Sequence, residues 1–253
     1  MLVAYDGSGF KGFARQPGQR TVGGELARAM SNYCRHGVEL VCAGRTDSGV
    51  HAQGQVVHAD IDASVDTDAL QRSVNRQLSP AIVVRSVARA PSGFDARRSA
   101  RSRSYRYLVL EGPQPDPLLA RFVWTVPPPL ELKSMSAAAD ALLGEHDFSA
   151  FCRRPPGHPR SAPLTRRVLA AGWSIIGSEM APELDGRLLR FDVQASSFCH
   201  QMVRSIVGVL VEIGRARMKP SDVPRLLESR DRSGAKSLAP AHGLSLVRVE
   251  YDD

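Results

Sequence analysis

Three ionisable side chains stand within seven residues of each other in a polar stretch of the chain: Arg45, Asp47 and His51. A carboxylate so near a guanidinium is expected to stay ionised, because an ion pair at about 4 Å near a surface gains roughly 4 kcal/mol before desolvation. An ionised aspartate in a loop can fasten a turn, bind a metal ion or act in catalysis. Ser48 and Gly49 follow Asp47, which is ordinary turn chemistry, so the turn and catalytic interpretations both stay open.

The metal interpretation is the weakest of the three. A divalent ion needs several oxygen or nitrogen ligands that converge on one point. The chain has no His-Glu-x-x-His unit, no Cys-x-x-Cys unit and no spaced cluster of carboxylates. We therefore expect no metal.

Two short apolar runs must position this polar stretch. Residues 38–42 and 55–61 are rich in β-branched residues, which predicts two strands with a loop between them. Gly44, Gly49 and Gly54 permit backbone angles and close approaches that a side chain would forbid. The pattern is typical of a functional loop between two strands.

The residues from Gly44 to Val56, Gly-Arg-Thr-Asp-Ser-Gly-Val-His-Ala-Gln-Gly-Gln-Val, resemble the catalytic signature of the tRNA pseudouridine synthase A family. The resemblance implies that Asp47 is the catalytic carboxylate, acting as nucleophile or base. It implies that Arg45 supports the active site. It also implies an isomerase that converts uridines 38, 39 and 40 of the tRNA anticodon arm to pseudouridine without a cofactor.

Three further segments resemble the same family. In its Tyr-x-Tyr strand the first tyrosine packs on the target base, which implies that role for Tyr105. In its Phe-x-His-x-Met-Val-Arg segment the arginine pairs with the catalytic aspartate, which implies that Arg204 pairs with Asp47. Its closing Pro-x-x-Gly-Leu-x-Leu segment supports the flipped base, and Leu246 is the candidate here.

Basic residues are in excess over acidic ones, and the 253-residue chain carries a formal charge of +7, which favours a polyanionic partner. Arginines are densest between Asp95 and Tyr107, where they could contact phosphates. A glycine-rich loop after Tyr5 could close over nucleic acid with two phenylalanines, of which Phe13 replaces the family's tryptophan. The RNA-binding candidates are Lys11, Arg15, Arg97, Arg98, Arg101 and Arg103.

Four cysteines, too few and too scattered for a disulfide framework, fit a reducing compartment, so we expect a cytoplasmic protein. The longest apolar run, near Ile206 to Ile213, is too short to cross a bilayer, and no membrane partner is expected. The family resemblance implies a homodimer.

His146 and Asp147, although adjacent, are expected to be structural, because nothing nucleophilic lies near them.

Periodicity predicts the order strand, helix, strand, strand, helix, strand for the first 90 residues, with helices at 21–35 and 67–78. We expect an α+β fold of two ferredoxin-like or RRM-like halves, with antiparallel sheets joined around a central catalytic cleft. The predicted halves are 1–92, with the Asp47 loop, and 93–253, with the Tyr-x-Tyr strand, the Arg204 helix and the dimer interface.

In the second half, we expect a strand with Tyr105 and Tyr107 on one face, a helix at 130–143 and a hairpin of 168–176 with 188–196. An exposed loop is expected at 153–167. The strongest helix is expected to begin near Ser197 and to carry Arg204, and a last strand is expected at 239–249.

Two other function classes remain open on the sequence. A non-catalytic RNA-binding module would bind tRNA and form no pseudouridine. A base deaminase or glycosylase would also flip a base out of its stack. The motifs of a zinc deaminase are missing from the chain, and a glycosylase would release free uracil.

Overall fold

The computed structural model describes residues 1–154, 157, 159, 161–176 and 185–252. The chain divides into two compact units, Met1–Arg101 with Ser245–Asp253, and Ser102–Leu244. Each unit is a mixture of α-helices and mostly antiparallel strands, in agreement with the predicted mixed class. In the described part of the chain, no helix is both long and apolar enough to span a membrane.

The first unit contains four strands and two helices from the beginning of the chain, together with the last strand. They are β1 (Leu2–Tyr5), α1 (Val22–Cys34), β2 (Val41–Cys42), β3 (His51–His58), α2 (Thr67–Leu78), β4 (Ile82–Ser86) and β10 (Leu244–Glu250). β1 lies between β3 and β4 and is antiparallel to both. β2 pairs antiparallel with β3, and β10 pairs with β3 in parallel.

The two helices of this unit form where periodicity predicts them. The Thr21 side chain accepts a hydrogen bond from the amide of Gly24 at 3.2 Å and caps α1. Asp66 caps α2 by accepting from the amides of Asp68 and Ala69. The buried faces of the helices contribute apolar side chains to the core, among them Leu26, Met30, Leu70, Val74 and Leu78.

The strand after the signature begins earlier than expected. Its predicted start was residue 55, but β3 begins at His51. Ala52 is already paired with Tyr5 of β1 and with Leu246 of β10. Pairing with strands distant in sequence makes these polar residues extended, and local hydropathy does not record such pairing. His51 therefore lies in a strand and not in the loop.

The described residues of the second unit form five strands and three helices. They are β5 (Ser102–Glu111), β6 (Trp124–Val126), α3 (Leu132–Asp140), β7 (Gly144–Asp147), β8 (Thr165–Ile176), β9 (Arg187–Ala195), α4 (Met202–Gly214) and α5 (Asp222–Ser229). The antiparallel order is β5-β9-β8-β7, and β6 pairs with β5 in parallel. The predicted hairpin of β8 and β9 is confirmed. Part of the predicted 153–167 loop, including His158 and Arg160, lies outside the described residues.

α4 begins at Met202, five residues after the predicted start. Gln201 has a left-handed backbone with φ of 65°, and the amide of Met202 donates to the carbonyl of Cys199 at 3.1 Å. A turn therefore precedes the helix, because this conformation cannot continue into helical hydrogen bonding toward the N-terminus. From there on, α4 is buried on nearly all sides.

Two of the four cysteines lie together. Cys152 and Cys199, 47 residues apart, form a disulfide, with their Cα atoms 5.8 Å apart. One bridge is not a disulfide framework, although these two cysteines, scattered in the sequence, are adjacent in the fold. The two segments meet because the amide of Arg153 donates to the carbonyl of His200 at 2.9 Å, a contact between distant parts of the chain.

Candidate active site

Asp47 lies in the loop between β2 and β3, and its side chain is half-buried. The amide of Val50 donates to the carbonyl of Asp47 at 3.1 Å, and Gly49 has φ of 79°. The Asp-Ser-Gly turn expected from the sequence is therefore present as a backbone turn. A tight turn and a catalytic role are compatible, since the turn uses the carbonyl oxygen of Asp47. Arg45 is exposed two residues before it.

The loop that follows β1 packs directly on the Asp47 loop. The amide of Phe13 donates to the carbonyl of Thr46 at 3.1 Å, and the Ser48 hydroxyl donates to the carbonyl of Phe10 at 3.3 Å. A Cβ atom on Gly12 would lie 2.8 Å from the carbonyl oxygen of Thr46. Glycine is needed at this position because two backbones approach closely, and Gly12 has φ of 87° as well.

Phe10 and Phe13 are buried, with 4% and 3% of their surface exposed. The prediction that these phenylalanines present an aromatic surface to nucleic acid was therefore wrong. Their rings fill the space between the first loop and its neighbours, and the Arg20 guanidinium lies 4.5 Å from the centre of the Phe10 ring. Lys11 and Arg15, the basic candidates of this loop, are exposed.

Three buried polar side chains lie beneath the Asp47 loop. The hydroxyl of Tyr5 lies 2.8 Å from that of Thr46. The side-chain amide of Gln55 donates to the carbonyl of Gly44 at 2.7 Å and to the Tyr5 hydroxyl at 3.4 Å. No motif in the sequence predicted a role for these residues. The available signal was an amide, Gln55, at the start of an otherwise apolar run.

His51 joins the first loop to β3. Its Nδ1 atom accepts a hydrogen bond from the amide of Gly7 at 3.0 Å, and the ring is buried. The same nitrogen lies 3.2 Å from a carboxylate oxygen of Asp6. A ring nitrogen that accepts a hydrogen bond carries no proton, so the Gly7 contact gives His51 a positioning role in this arrangement.

The side chains of Arg97 and Arg98 are exposed, and the backbone of both residues is held by hydrogen bonds to Asp95. Both of their amides donate to one carboxylate oxygen of Asp95 at 2.8 Å. Burial raises the pKa of the Cys42 thiol, while the charges of Arg45 and Arg97 act in the opposite direction. Arg45 and Arg97 are therefore both close enough to Cys42 to act on it electrostatically.

The other two arginine candidates already have partners. Arg101 forms an ion pair with the carboxylate of Asp252. Arg103 is buried, and its guanidinium donates to the carbonyl of Ser196 at 2.8 Å. Sequence proximity to Arg97 and Arg98 did not distinguish these two environments.

Tyr105 and Tyr107 share one face of β5, as their spacing predicts, and both are buried. The Tyr105 ring is 8% exposed and meets the ring of Phe198 edge to face, with centroids 5.0 Å apart. The Tyr107 hydroxyl donates to the carbonyl of Pro240 at 2.7 Å. Burial raises the pKa of Tyr107, so its phenol stays protonated and keeps this bond.

Arg204 lies in the first turn of α4 and is half-buried. Its Nε atom donates to the carbonyl of Ala239 at 2.8 Å, and the amide of Ala239 donates to the carbonyl of Arg204 at 3.1 Å. Arg204 is thus joined to Ala239 by one side-chain hydrogen bond and one backbone hydrogen bond. In the first unit, Leu246 is fully buried on β10 and pairs with Ala52.

Asp147 has the structural role that the sequence analysis expected. One of its carboxylate oxygens accepts from the amide of Ser149, the hydroxyl of Ser149 and the amide of Leu164, at 3.0, 2.6 and 2.9 Å. Arg230 lies 3.0 Å from the other oxygen. His146 lies outside this set of hydrogen bonds, and its ring contacts the carbonyl of Leu143 at 2.8 Å.

A family model described as tRNA pseudouridine synthase matches residues 1–97 and 138–252, which is most of the chain. The chain belongs to the tRNA pseudouridine synthase family. The ranges that match this family include the whole Asp47 loop with Tyr5 and Gln55 beneath it, as well as Arg204 and Leu246. Tyr105 lies between the two matched ranges.

Individual members of the family are similar along nearly the whole chain. A tRNA pseudouridine synthase A of Frankia casuarinae is 44% identical over 254 residues, covering 98% of this chain and 87% of that protein. A protein of the same name from Methylobacterium nodulans is 41% identical and covers 100% of this chain and 95% of its own. One from Geobacillus kaustophilus is 37% identical, with 100% and 93% covered.

Proposed function

We propose that this chain isomerises uridine to pseudouridine in tRNA, at positions 38, 39 and 40 of the anticodon arm. The observation that carries the proposal is the family match over both strands that frame Asp47 and over the loop itself. The net charge of +7 suits a polyanionic substrate. The named relatives support tRNA as that substrate.

The reaction itself limits what the protein must supply. The bond between C1′ and N1 of the uridine breaks, the uracil rotates, and a new bond forms between C1′ and C5. The hydrogen on C5 leaves as a proton, and N1 takes up a proton. No atom is gained and no electron is transferred, so an acid-base or nucleophilic group can serve without a redox cofactor. The base must also leave its stack, at a cost of about a few kcal/mol.

Asp47 is the proposed reacting carboxylate. It can attack the ribose, attack the base or remove a proton from the sugar, and each route needs an ionised oxygen held near the nucleoside. Arg45 and Arg204 are proposed to support Asp47 in the active site. Tyr105 is proposed to stack on the target base and Leu246 to support it. The pairing of Arg204 with Asp47 stays a prediction.

Phosphate contacts are proposed for Lys11, Arg15, Arg97 and Arg98, whose exposed side chains suit a polyanion. For Arg101 and Arg103, RNA binding stays a prediction. A phosphate would have to compete with Asp252 for Arg101 and with the carbonyl of Ser196 for Arg103. Contacts of this kind set position and affinity and carry no base specificity.

The finer fold description is also a proposal. The order β1-α1-β2-β3-α2-β4, with antiparallel pairing of β4 to β1, β1 to β3 and β3 to β2, supports a ferredoxin-like first half. The functional division after residue 92, the cleft and the dimer interface stay predictions, as does a cytoplasmic location. The mass of the native protein in solution tests the dimer, and a monomer would overturn it.

The proposed function is tested by incubating the purified protein with unmodified tRNA and mapping pseudouridine at single-nucleotide resolution. Pseudouridine at positions 38, 39 or 40 supports the proposal. Pseudouridine confined to the T arm or to ribosomal RNA overturns the substrate. Binding of tRNA without any pseudouridine identifies an RNA-binding module, and release of free uracil identifies a glycosylase.

A further inference from the structure

Tyr5, Thr46 and Gln55 form a polar chain inside an apolar part of the first unit. Their exposed fractions are 5%, 6% and 0%. Tyr5 lies on β1 and Gln55 on β3, while Thr46 precedes Asp47 in the loop between β2 and β3. The three side chains therefore join the two strands to the loop that carries the proposed catalytic carboxylate.

The donors and acceptors of this chain have one consistent direction. The Gln55 side-chain amide donates to the carbonyl of Gly44 at 2.7 Å and, at a longer 3.4 Å, to the Tyr5 hydroxyl. Because that hydroxyl then accepts from Gln55, its own hydrogen is available to Thr46 Oγ1 at 2.8 Å. The loop is thus held at Gly44 and at Thr46, on both sides of Arg45 and one residue before Asp47.

Stability alone does not account for these three residues. A buried hydrogen-bonded group contributes little net stability compared with apolar groups of the same shape, and an unsatisfied buried atom is costly. Among the residues that the structure describes, the Oε1 atom of Gln55 has no hydrogen-bond partner. Burial raises the pKa of Tyr5, although Thr46 and Gln55 oppose the shift, so the phenol keeps its hydrogen at neutral pH.

We propose that Tyr5, Thr46 and Gln55 are positioning residues that hold Asp47 at its reacting position. The inference rests on the proposed function and names the residues that set its rate. A displacement of about 1 Å at a reacting group can reduce a rate about 100-fold. Loss of the hydrogen bonds among these three side chains should therefore slow the isomerisation and leave tRNA binding nearly unchanged.

The test uses the full-length chain with Tyr5→Phe and with Thr46→Val, each of which removes one hydroxyl and keeps the shape of the side chain. We expect each variant to lower the single-turnover rate of pseudouridine formation about 10-fold to 100-fold, with the Kd for tRNA within about 3-fold of the wild type. Thr46→Ser keeps the hydroxyl and should restore the rate to within about 3-fold.

The double variant Tyr5→Phe/Thr46→Val distinguishes a connected chain from two independent defects. Because both substitutions remove the same hydrogen bond, the double variant should be about as slow as the slower single variant. Rates that multiply would show independent effects and would overturn a shared positioning role.

Ser31→Ala is the matched control in the same unit. The Ser31 hydroxyl donates to the carbonyl of Ala27 at 2.8 Å and accepts from the amide of Val38 at 3.0 Å, so its removal also costs two hydrogen bonds. We expect Ser31→Ala to lower the thermal midpoint by a few degrees, as Tyr5→Phe and Thr46→Val should, and to keep the wild-type rate of pseudouridine formation. An equal loss of rate in this control would overturn the inference.

Amide hydrogen exchange tests the inference without any activity. The amides of Phe13 and Val50 donate to the carbonyls of Thr46 and Asp47. Thr46→Val should speed exchange at these two amides about 10-fold, and Ser31→Ala should not. If the wild type forms no pseudouridine, the proposed function fails. Amide hydrogen exchange still decides whether the three side chains position the Asp47 loop. Unchanged exchange, or a wild-type rate in both chain variants, overturns the positioning role.

Discussion

Asp47 lies in the loop between β2 and β3 of the first unit, and Asp147 is the last residue of β7 in the second unit. The surroundings of the two aspartates differ. The carboxylate of Asp147 takes three hydrogen bonds on one oxygen and has Arg230 at the other. The loop that carries Asp47 is held through the carbonyls of Gly44, Thr46 and Asp47 and through the side chains of Thr46 and Ser48. Asp147 holds its surroundings with its carboxylate, and Asp47 lies in a loop that neighbouring residues hold.

The pKa of Asp147 agrees with a structural role for its carboxylate. Burial by itself would raise the pKa of its carboxyl, but the hydrogen bonds from Ser149 and Leu164 and the charge of Arg230 outweigh burial, so the pKa lies below its ordinary value. A carboxylate in this environment stabilises the fold. The comparison teaches that an aspartate whose carboxylate collects several donors and a cation serves the fold, as Asp147 does.

The largest expected effect is the loss of activity in Asp47→Asn. The amide can neither act as a nucleophile nor take a proton as the carboxylate does, so pseudouridine formation should fall at least about 10,000-fold. The nucleoside content of tRNA after incubation measures this loss. Binding of tRNA should stay within about 3-fold, because affinity comes from phosphate contacts elsewhere.

Asp147→Asn is the matched variant for that comparison. Per folded molecule, its rate of pseudouridine formation should stay within about 3-fold of the wild type, because Asp147 acts on the fold. A loss of activity as large as that of Asp47→Asn, in protein that is still folded, would remove the distinction between the two aspartates.

Stability should respond to Asp147→Asn. The substitution should lower the free energy of unfolding by about 2–3 kcal/mol at pH 7, because it weakens charge-assisted hydrogen bonds. The folded pKa of Asp147 is lowered, so its contribution is complete above the unfolded pKa of about 3.9 and is lost as the pH falls below it. Urea unfolding of the variant and the wild type from pH 7 to pH 3 measures the change.

A smaller effect is expected in tRNA affinity from the exposed arginines of the first unit. Arg97→Gln/Arg98→Gln should weaken binding about 10-fold and reduce the salt dependence of log K by about 1.8, which corresponds to two lost phosphate contacts. Titrations at several salt concentrations measure both quantities. An unchanged slope would exclude these side chains from the RNA contact.

Arg101→Gln should have the smallest effect, a decrease of less than about 3-fold in tRNA affinity, because a phosphate must compete with Asp252 for this guanidinium. The same titration measures it. A decrease equal to that of the Arg97→Gln/Arg98→Gln variant would show that the ion pair with Asp252 opens at little cost.

Local patterns in the sequence were sufficient for several elements. The apolar spacing of Leu70, Val74 and Leu78 predicted α2 with its observed bounds of Thr67–Leu78. Alternation predicted the shared face of Tyr105 and Tyr107. The mixed α/β class also followed from the order of helices and strands. In each case the determining interactions lie within one turn or one strand, where periodicity can record them.

The parts that sequence reasoning missed depend on contacts between distant residues. β3 begins at His51 because β1 and β10 pair with it, and Phe10 and Phe13 are buried because the first loop packs on residues 46–48. The role proposed for Thr46 and Gln55 depends on Tyr5, whose hydroxyl lies between them. No spacing rule connects residues about 40 to 50 positions apart before the strands are paired.

The most direct test of the account is a single-turnover measurement with tRNA that carries tritium at C5 of uridine. Each pseudouridine formed releases one tritium, because the new bond to C1′ displaces the hydrogen on C5. With excess enzyme, the wild type should release tritium from the anticodon arm, and Asp47→Asn, bound to the same tRNA, should release none above background. Release by Asp47→Asn at the wild-type rate would contradict the claim that the Asp47 carboxylate carries the reaction.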